Sequence, residues 1–431
     1  MRAFTAVLTA LFLVQALSVA RAADTLYGAI AAYKKNDYST ALPILNRLAG
    51  QGNAAAQKIL GDMYANGEGV KKSGVEAVKW YQLAATQGLA EAQYWIADFY
   101  YQGKEVPENL PEALKWFRLA ADQGDADAQY FLGYMYGRGQ GVRQDFTIAA
   151  DFLDSACHGG KDHGCIDLGL MYISGLGVKK SYDKAAELYQ ISCDHDVGDG
   201  CLKLGLMYEQ GAGFIKDDSR AADLYRRSCT IGDPAGCFAL GNAYRTGHGV
   251  QKDYAMALDL NQKACDGGNL GGCTNLGWMY DRGEGVAQDF IKAVALYQKV
   301  CAVNAADGEG CNNLADKYRN GEGVKQDMEK AAELYQKGCA GGASHACNGL
   351  ADRYYRGEGV RKDFNKAVQG YKKACEGGHN KGCYNLAMMY YKGEGVTRSS
   401  EAAIRFTRMA CDMKYQAACD VLDKVMAGTL E

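Results

Sequence analysis

Proline is scarce, four in 431 residues, which argues against a fold built on β-turns and against a disordered chain. An excess of either charge is lacking too. The 48 basic and 51 acidic residues leave −3 at pH 7, so nothing draws the chain generally toward nucleic acid or an anionic membrane. After Ala20 no apolar run approaches the ~20 residues that a membrane span needs. Cysteine is missing from the first 156 residues, yet sixteen follow.

The chain starts with Met1-Arg2 and a nearly unbroken apolar run to Ala20. Ala20-Arg21-Ala22 then places small residues at −3 and −1, so residues 1–22 are expected to be a secretory signal cleaved after Ala22. The run is too short and wrongly flanked for an anchor, and it lacks the spaced arginines of a mitochondrial presequence. The expected destination is the periplasm or the outside of the cell, an oxidising setting in which an even number of thiols pairs.

The sixteen cysteines form eight pairs on a 36-residue step, with one step of 38. The first members are Cys157, Cys193, Cys229, Cys265, Cys301, Cys339, Cys375 and Cys411. Seven have a partner eight residues later, and Cys301 waits ten, to Cys311. A fixed period of that size marks a stacked array of one supersecondary unit. Ten Gly-x-Gly-Val-like turns share the period, from Gly67 to Gly393, each with a tyrosine three residues earlier (Tyr64 to Tyr390). Three residues before the tyrosine stands glycine or alanine (Gly61, Ala97, Gly133, on to Ala387), a small residue that lets a helix lie close to its neighbour. After each turn comes Ser, Asn or Asp (Ser73 through Ser399), the side chains that cap helix N-termini, then alanine four residues on. The pattern predicts a lone helix from about Thr25 to Lys35, then eleven helical hairpins from Asp37 to Gly428.

Each cysteine pair joins the end of one helix to the start of the next. Antiparallel helices about 9 Å apart bring facing Cα atoms to roughly 4–5 Å, which suits a disulfide. The expected bonds are Cys157–Cys165, Cys193–Cys201, Cys229–Cys237, Cys265–Cys273, Cys301–Cys311, Cys339–Cys347, Cys375–Cys383 and Cys411–Cys419. Cross-unit bonding, such as Cys165 to Cys193, is the competing connectivity. The first units hold Ala49/Gln57, Ala85/Gln93 and Ala121/Gln129 at these positions, so the cysteines look like staples on a fold that works without them.

The small residue, Met-Tyr, Gly-x-Gly-Val, cap and Lys-Ala pattern resembles the Sel1-like repeat, a relative of the tetratricopeptide repeat. With cysteines eight apart, it is similar to the secreted cysteine-rich Sel1-like proteins, the Helicobacter cysteine-rich family. The resemblance implies an all-α chain, an α/α solenoid with a right-handed superhelix, that serves protein interaction. It also implies penicillin binding or β-lactam hydrolysis, as claimed for some members. The expected organisation is a signal (1–22), a capping helix (23–36), cysteine-free repeats (37–144) and cysteine-paired repeats (145–428) in one solenoid.

Few residues suggest chemistry. Ser181-Tyr182-Asp183-Lys184 matches the Ser-x-x-Lys of serine β-lactamases, and Lys72-Ser73-Gly74 faintly matches their Lys-Thr-Gly. Ser181, however, occupies the recurring cap and Lys184 the recurring lysine before alanine, so no catalytic residue is assigned and the two stand only as candidates. His158, His163, His195, His345 and His379 sit between paired cysteines in spacings that fit no common zinc motif, and no metal or other cofactor is expected. Tyr81, Tyr189, Tyr225, Tyr297, Tyr335 and Tyr371 recur in a core register, as do Trp80 and Trp116. A polar row remains: Gln190, Arg226/Arg227, Gln262/Lys263, Gln298/Lys299, Gln336/Lys337 and Lys372/Lys373. It could hold an extended acidic peptide or glycan, or simply be a solvated face. The expanded turn from Cys301 to Cys311 is a second candidate edge. The expectation is an exported scaffold binding a protein, or a cell-wall peptide or glycan, in a concave groove. A β-lactam-binding or hydrolysing protein is the alternative, and a metal- or redox-handling protein the third.

Overall fold

The computed structural model describes residues 25–303 and 308–426. The expected signal and its cleavage point lie outside the described residues, as do residues 304–307 of the expanded turn and residues 427–431. Among the described residues there are 23 helices and no strand. The lone first helix, α1, is Leu26–Lys34, capped by the Thr25 hydroxyl. Six hairpin helices follow: α2 (Tyr38–Gly50), α3 (Ala54–Asn66), α4 (Gly74–Thr86), α5 (Ala90–Gln102), α6 (Leu110–Ala121) and α7 (Ala126–Arg138). Next come α8 (Phe146–His158), α9 (Asp162–Ser174), α10 (Tyr182–Asp194), α11 (Gly198–Gln210), α12 (Asp218–Ile231) and α13 (Pro234–Thr246). Then follow α14 (Tyr254–Asp266), α15 (Leu270–Arg282), α16 (Phe290–Val303), α17 (Gly308–Asn320) and α18 (Met328–Ala340). The last are α19 (Ser344–Arg356), α20 (Phe364–Glu376), α21 (Asn380–Lys392), α22 (Ser400–Asp412) and α23 (Gln416–Met426). No helix among the described residues is long and apolar enough to cross a membrane.

The chain divides into two compact units, residues 1–200 and 201–431. In each, helix ends follow from the repeat residues. Gly67 ends α3 in the left-handed conformation, φ 81°, which any side chain would strain. Beyond the turn, the Ser73 hydroxyl accepts from the Glu76 amide and starts α4.

Packing runs between hairpins as much as within them. In the first unit α3 lies closest to α4, α5 to α6 and α7 to α8; in the second, α13 to α14, α17 to α18, α19 to α20 and α21 to α22. The small residue makes this possible. A Cβ on Gly61 would stand 2.5 Å from the Tyr81 ring, so glycine there lets the tyrosine lie flat on the α3 backbone. The core tyrosines are buried to the last few per cent, Tyr81 at 1% exposed and Tyr297 at 0%. Cutting such a ring back to alanine costs about 3–5 kcal/mol.

The hairpin turns close in two ways. Disulfides join Cys157–Cys165, Cys229–Cys237, Cys265–Cys273, Cys301–Cys311, Cys339–Cys347, Cys375–Cys383 and Cys411–Cys419, with Cα–Cα distances of 4.4–4.7 Å. Cys193 and Cys201 are disulfide-bonded as well. Where cysteine is missing, glutamine does the closing. The buried Gln57 amide donates to the Ala49 carbonyl at 3.0 Å, Gln93 to Ala85 at 3.1 Å and Gln129 to Ala121 at 3.3 Å. Each of the first two then accepts from the next hairpin: Gln87 donates to Gln57 at 2.7 Å and Gln123 to Gln93 at 2.8 Å. The alanine at these positions gives close approach, and the glutamine gives a bond that alanine could not.

Candidate functional site

The first unit holds a groove of about 460 Å³ whose lining comes from α1, α3, α4, α5 and the turns after α3 and α5. Its walls are aromatic (Tyr33, Trp95, Phe99) and its floor is charged (Lys58, Asp62, Asp98). The 36-residue period builds it, because Lys58 and Tyr94, Asp62 and Asp98, and Asn66 and Gln102 are equivalent positions of successive helices.

The two halves of the floor differ in charge balance. Lys58 is three-quarters or more covered and bridges Asp62 at 3.0 Å and Glu91. The Tyr81 hydroxyl donates to Asp62 at 2.9 Å. Burial still pushes the Asp62 carboxyl above the usual carboxylate range, with Lys58 and Tyr81 pulling it back. At the groove's rim Lys72 pairs with Glu105 at 3.2 Å. Asp98 has no such lysine: the Gln102 amide donates to both of its oxygens, at 2.8 and 2.7 Å. It is 7% exposed, and burial pushes its carboxyl up, with Gln102 and the more distant Lys104 opposing. Asp98, Gln102 and Lys104 also line a second groove of about 540 Å³, with Tyr101, Leu110, Phe131 and Gln140. Asp98 thus lines both grooves.

The residues singled out in the sequence lie elsewhere. Ser181 caps α10, its hydroxyl oxygen accepting from the Lys184 amide at 3.3 Å. The Lys184 ammonium lies over the Tyr172 ring, 5.0 Å from its centroid and 3.3 Å from its hydroxyl. Ser73 likewise caps α4, while Lys72 and Gly74 lie against Glu105 beside the groove.

Much of the polar row is tied up locally. Gln190 donates to Asp194 and Gln262 to Asp266, both at 2.9 Å. Arg226 pairs with Asp223, Lys263 with Asp259 at 2.8 Å and Lys372 with Glu376 at 3.8 Å. Lys299 donates to the Cys265 carbonyl at 3.3 Å and Lys337 to the Cys301 carbonyl at 2.7 Å, each at the preceding hairpin's helix end, where a cation is favoured. Arg227 is half-buried and Lys373 exposed.

The histidines pair with neighbours. His195 lies 2.7 Å from Asp162, and His158 3.5 Å from Asp154. His163 faces the Tyr130 ring edge-on, and His345 does the same to His379 at 4.6 Å. No cluster of three or more His, Cys, Asp or Glu side chains able to hold a metal occurs among the described residues.

The sequence reasoning passed over Asp98, Gln102 and Trp95. The signal was present in the substitutions between copies: equivalent positions hold Lys58 then Tyr94, and Tyr81 then Phe117. Two buried cations went unnoticed for the same reason. Lys317 and Arg353 replace the repeat methionine in the second unit, Lys317 neutralised by Asp281 and Glu322 and Arg353 by Glu358.

The Sel1 repeat model matches ten successive segments, residues 54–89, 90–125, 126–161, 162–197, 198–233, 234–269, 271–302, 308–342, 344–379 and 380–415. The first segment spans α3 and α4, a pair that packs closely across two hairpins, rather than a single hairpin. No curated protein matches the chain. Among solved structures, a protective antigen of uropathogenic Escherichia coli displaying an SLR fold is 32% identical. That match covers 89% of this chain and 83% of that one, with a TM-score of 0.64. A Sel1 repeat protein from Oxalobacter formigenes is 31% identical over 55% of this chain and 95% of its own, TM-score 0.51. Helicobacter pylori cysteine rich protein B is 30% identical over 31% of this chain and 96% of its own, TM-score 0.27.

Proposed function

This chain belongs to the Sel1 repeat family, and from that premise we propose that it is an exported scaffold that holds a protein partner in the groove along α3 and α5. The observation that carries the proposal is the groove's lining, in which Trp95, Phe99 and Tyr33 stand beside the buried Asp98 and half-buried Asp62 carboxylates on a helical frame. Aromatic walls with a few fixed polar groups give contact area at little entropic cost, and a groove formed in advance spends little on ordering itself. Repeat folds of this kind serve protein–protein interaction. Export is supported by sixteen cysteines with none free among the described residues, which fits an oxidising compartment, and by the apolar stretch before Ala22.

The test is site-specific photocrosslinking in the native host. A benzophenone side chain at Gln102, on the groove, should trap one protein species repeatedly, and the same probe at exposed Lys263 should not trap it. Equal trapping at both positions, or trapping of polysaccharide alone, would overturn the proposal.

A further inference from the structure

We propose that Asp98 is the anchor for a basic side chain of the partner, an arginine held between the Asp98 carboxylate and the aromatic walls of the two grooves. The proposal rests on the groove being the partner site. It starts from a row of repeat-equivalent acids, Asp62, Asp98, Asp316 and Asp352, each at the first position after the small residue. Three of the four receive a buried tyrosine hydroxyl from the next hairpin: Tyr81 donates to Asp62 at 2.9 Å, Tyr335 to Asp316 at 2.5 Å and Tyr371 to Asp352 at 2.7 Å. At Asp98 the equivalent residue is Phe117, fully buried and without a donor. Asp62 also has Lys58 one turn earlier, where Asp98 has Tyr94. Asp98 therefore lacks the tyrosine donor that the other three acids have and the lysine that Asp62 has, and it is an acid in a site only 7% exposed.

An ionised carboxylate that deep needs a counter-charge, and among the described residues no cation lies within ion-pair distance of Asp98. Its cover is the Gln102 amide, on a residue that is itself exposed. That amide already spans both carboxylate oxygens, as the paired N–H groups of a guanidinium would. Trp95 and Phe99 line one groove and Tyr101 and Phe131 the other, aromatic rings of the kind on which a guanidinium stacks. Elsewhere in the groove the acids already have cations: Asp62 and Glu91 have Lys58, and Glu105 has Lys72. Among the acids of the first groove charge complementarity points to Asp98, and to one basic residue in an extended segment.

The experiment pans a displayed random heptapeptide library against the full oxidised chain and keeps peptides whose binding is lost in Trp95→Ala. The selected peptides should carry arginine at one fixed position. Replacing it with citrulline, which keeps the shape and removes the charge, should weaken binding at least tenfold. In Asp98→Asn, shown to fold by unchanged amide exchange, the arginine peptide should bind as weakly as the citrulline peptide does to the native chain, and citrulline should cost nothing further. Peptides that need Trp95 but are indifferent to citrulline and to Asp98→Asn would overturn the anchor and leave the groove as a docking site. Lysine at the fixed position with the same loss in Asp98→Asn would keep the anchor and overturn the choice of arginine. A library yielding no peptide that depends on Trp95 would overturn both.

Discussion

The hairpins before residue 145 and those after it close the same turn with different chemistry. Ahead of that point a buried glutamine amide bonds the facing alanine carbonyl and accepts from the glutamine of the next hairpin, so Gln87–Gln57 and Gln123–Gln93 link neighbours. After it a disulfide closes each hairpin locally, and the link to the preceding hairpin passes to a lysine at Lys299 and Lys337. In a repeat array, stability is roughly a sum over units and their interfaces. The two chemistries distribute that sum differently: the amides of Gln57 and Gln93 serve the turn and the interface together, whereas the disulfides serve the turn and leave the interface to other bonds, among them the ammonium–carbonyl bonds of Lys299 and Lys337. A surface row that looks like a binding ladder in the sequence is in part this second set of links. The groove lies in the amide-closed part, in which no covalent bond fixes the hairpin ends.

The largest expected effect comes from reducing the disulfides. A loop of nine residues closed by a bond is worth about 2.5 kcal/mol of chain entropy. Reductant should therefore lower amide protection across α12–α23 by several kcal/mol in sum while leaving α2–α7 near its oxidised value. Hydrogen exchange read helix by helix checks this, and an equal loss in both parts would show that the two chemistries do not act separately. Second is Gln93→Leu. It leaves the Ala85 carbonyl without its amide and frees Gln123 from its acceptor, at a cost of about 1–3 kcal/mol, read as a shift in the denaturant midpoint. The converse exchange, Ala85→Cys with Gln93→Cys, should form a disulfide and return about 2.5 kcal/mol against the lost amide bond. If the double cysteine variant is no more stable than Gln93→Leu, the turns of the two regions are not equivalent.

The repeat made much of this fold readable from the sequence. Caps at Ser73 and Ser181, left-handed glycines such as Gly67, and the small-residue contact of Gly61 with Tyr81 all depend on neighbours at fixed spacing, which periodicity reveals directly. The amide closure at Gln57, Gln93 and Gln129 was harder to see, because alanine at the facing position already explains close packing and says nothing of a side chain reaching back to a carbonyl. Asp98 was hidden for the opposite reason. It shares its acid with Asp62, Asp316 and Asp352, and only the absence of two partners, the lysine found at Asp62 and the tyrosine found at the other three, at Tyr94 and Phe117, sets it apart. Those partners lie four residues before it and nineteen after it, so composition or a local motif could not single it out. Sites in a repeat protein are departures in pairs, and one sequence copy has to be compared with the next at contacting positions.

A smaller effect separates the two regions by acid. In the disulfide-closed part, His379 caps α21 by accepting from the Gly382 amide, and burial, then His345 and Lys381, push its imidazole down to about 4 against the attraction of Asp352. An unfolded chain takes up that proton near the ordinary value, about 6.5. Between there and about 4 the unfolded state binds more protons, so stability falls as the pH is lowered through that window. His379→Asn keeps a capping acceptor and removes the titration, so its urea midpoint should stay flat across the window in which the native chain's midpoint declines. A parallel decline in both would place the acid sensitivity elsewhere.

The smallest expected change has the reverse sign, and it falls in the amide-closed part. Burial holds the Asp98 carboxyl above the ordinary carboxylate range, so the folded chain keeps a proton that the unfolded chain has already released. Raising the pH through that window removes stability, because the ionised form is the one the site disfavours. Asp98→Asn cannot ionise, and its side-chain oxygen can still accept from Gln102. The variant should thus be slightly more stable than the native chain at neutral pH and equal to it at acid pH, measured by denaturant midpoints at both. A stabilising substitution that also abolishes binding of an arginine peptide would mean that the charge is retained for the partner and not for the fold. If Asp98→Asn instead destabilises the chain at neutral pH, Asp98 is held by a structural bond as Asp62 is, and the asymmetry between the two halves of the groove has no functional meaning.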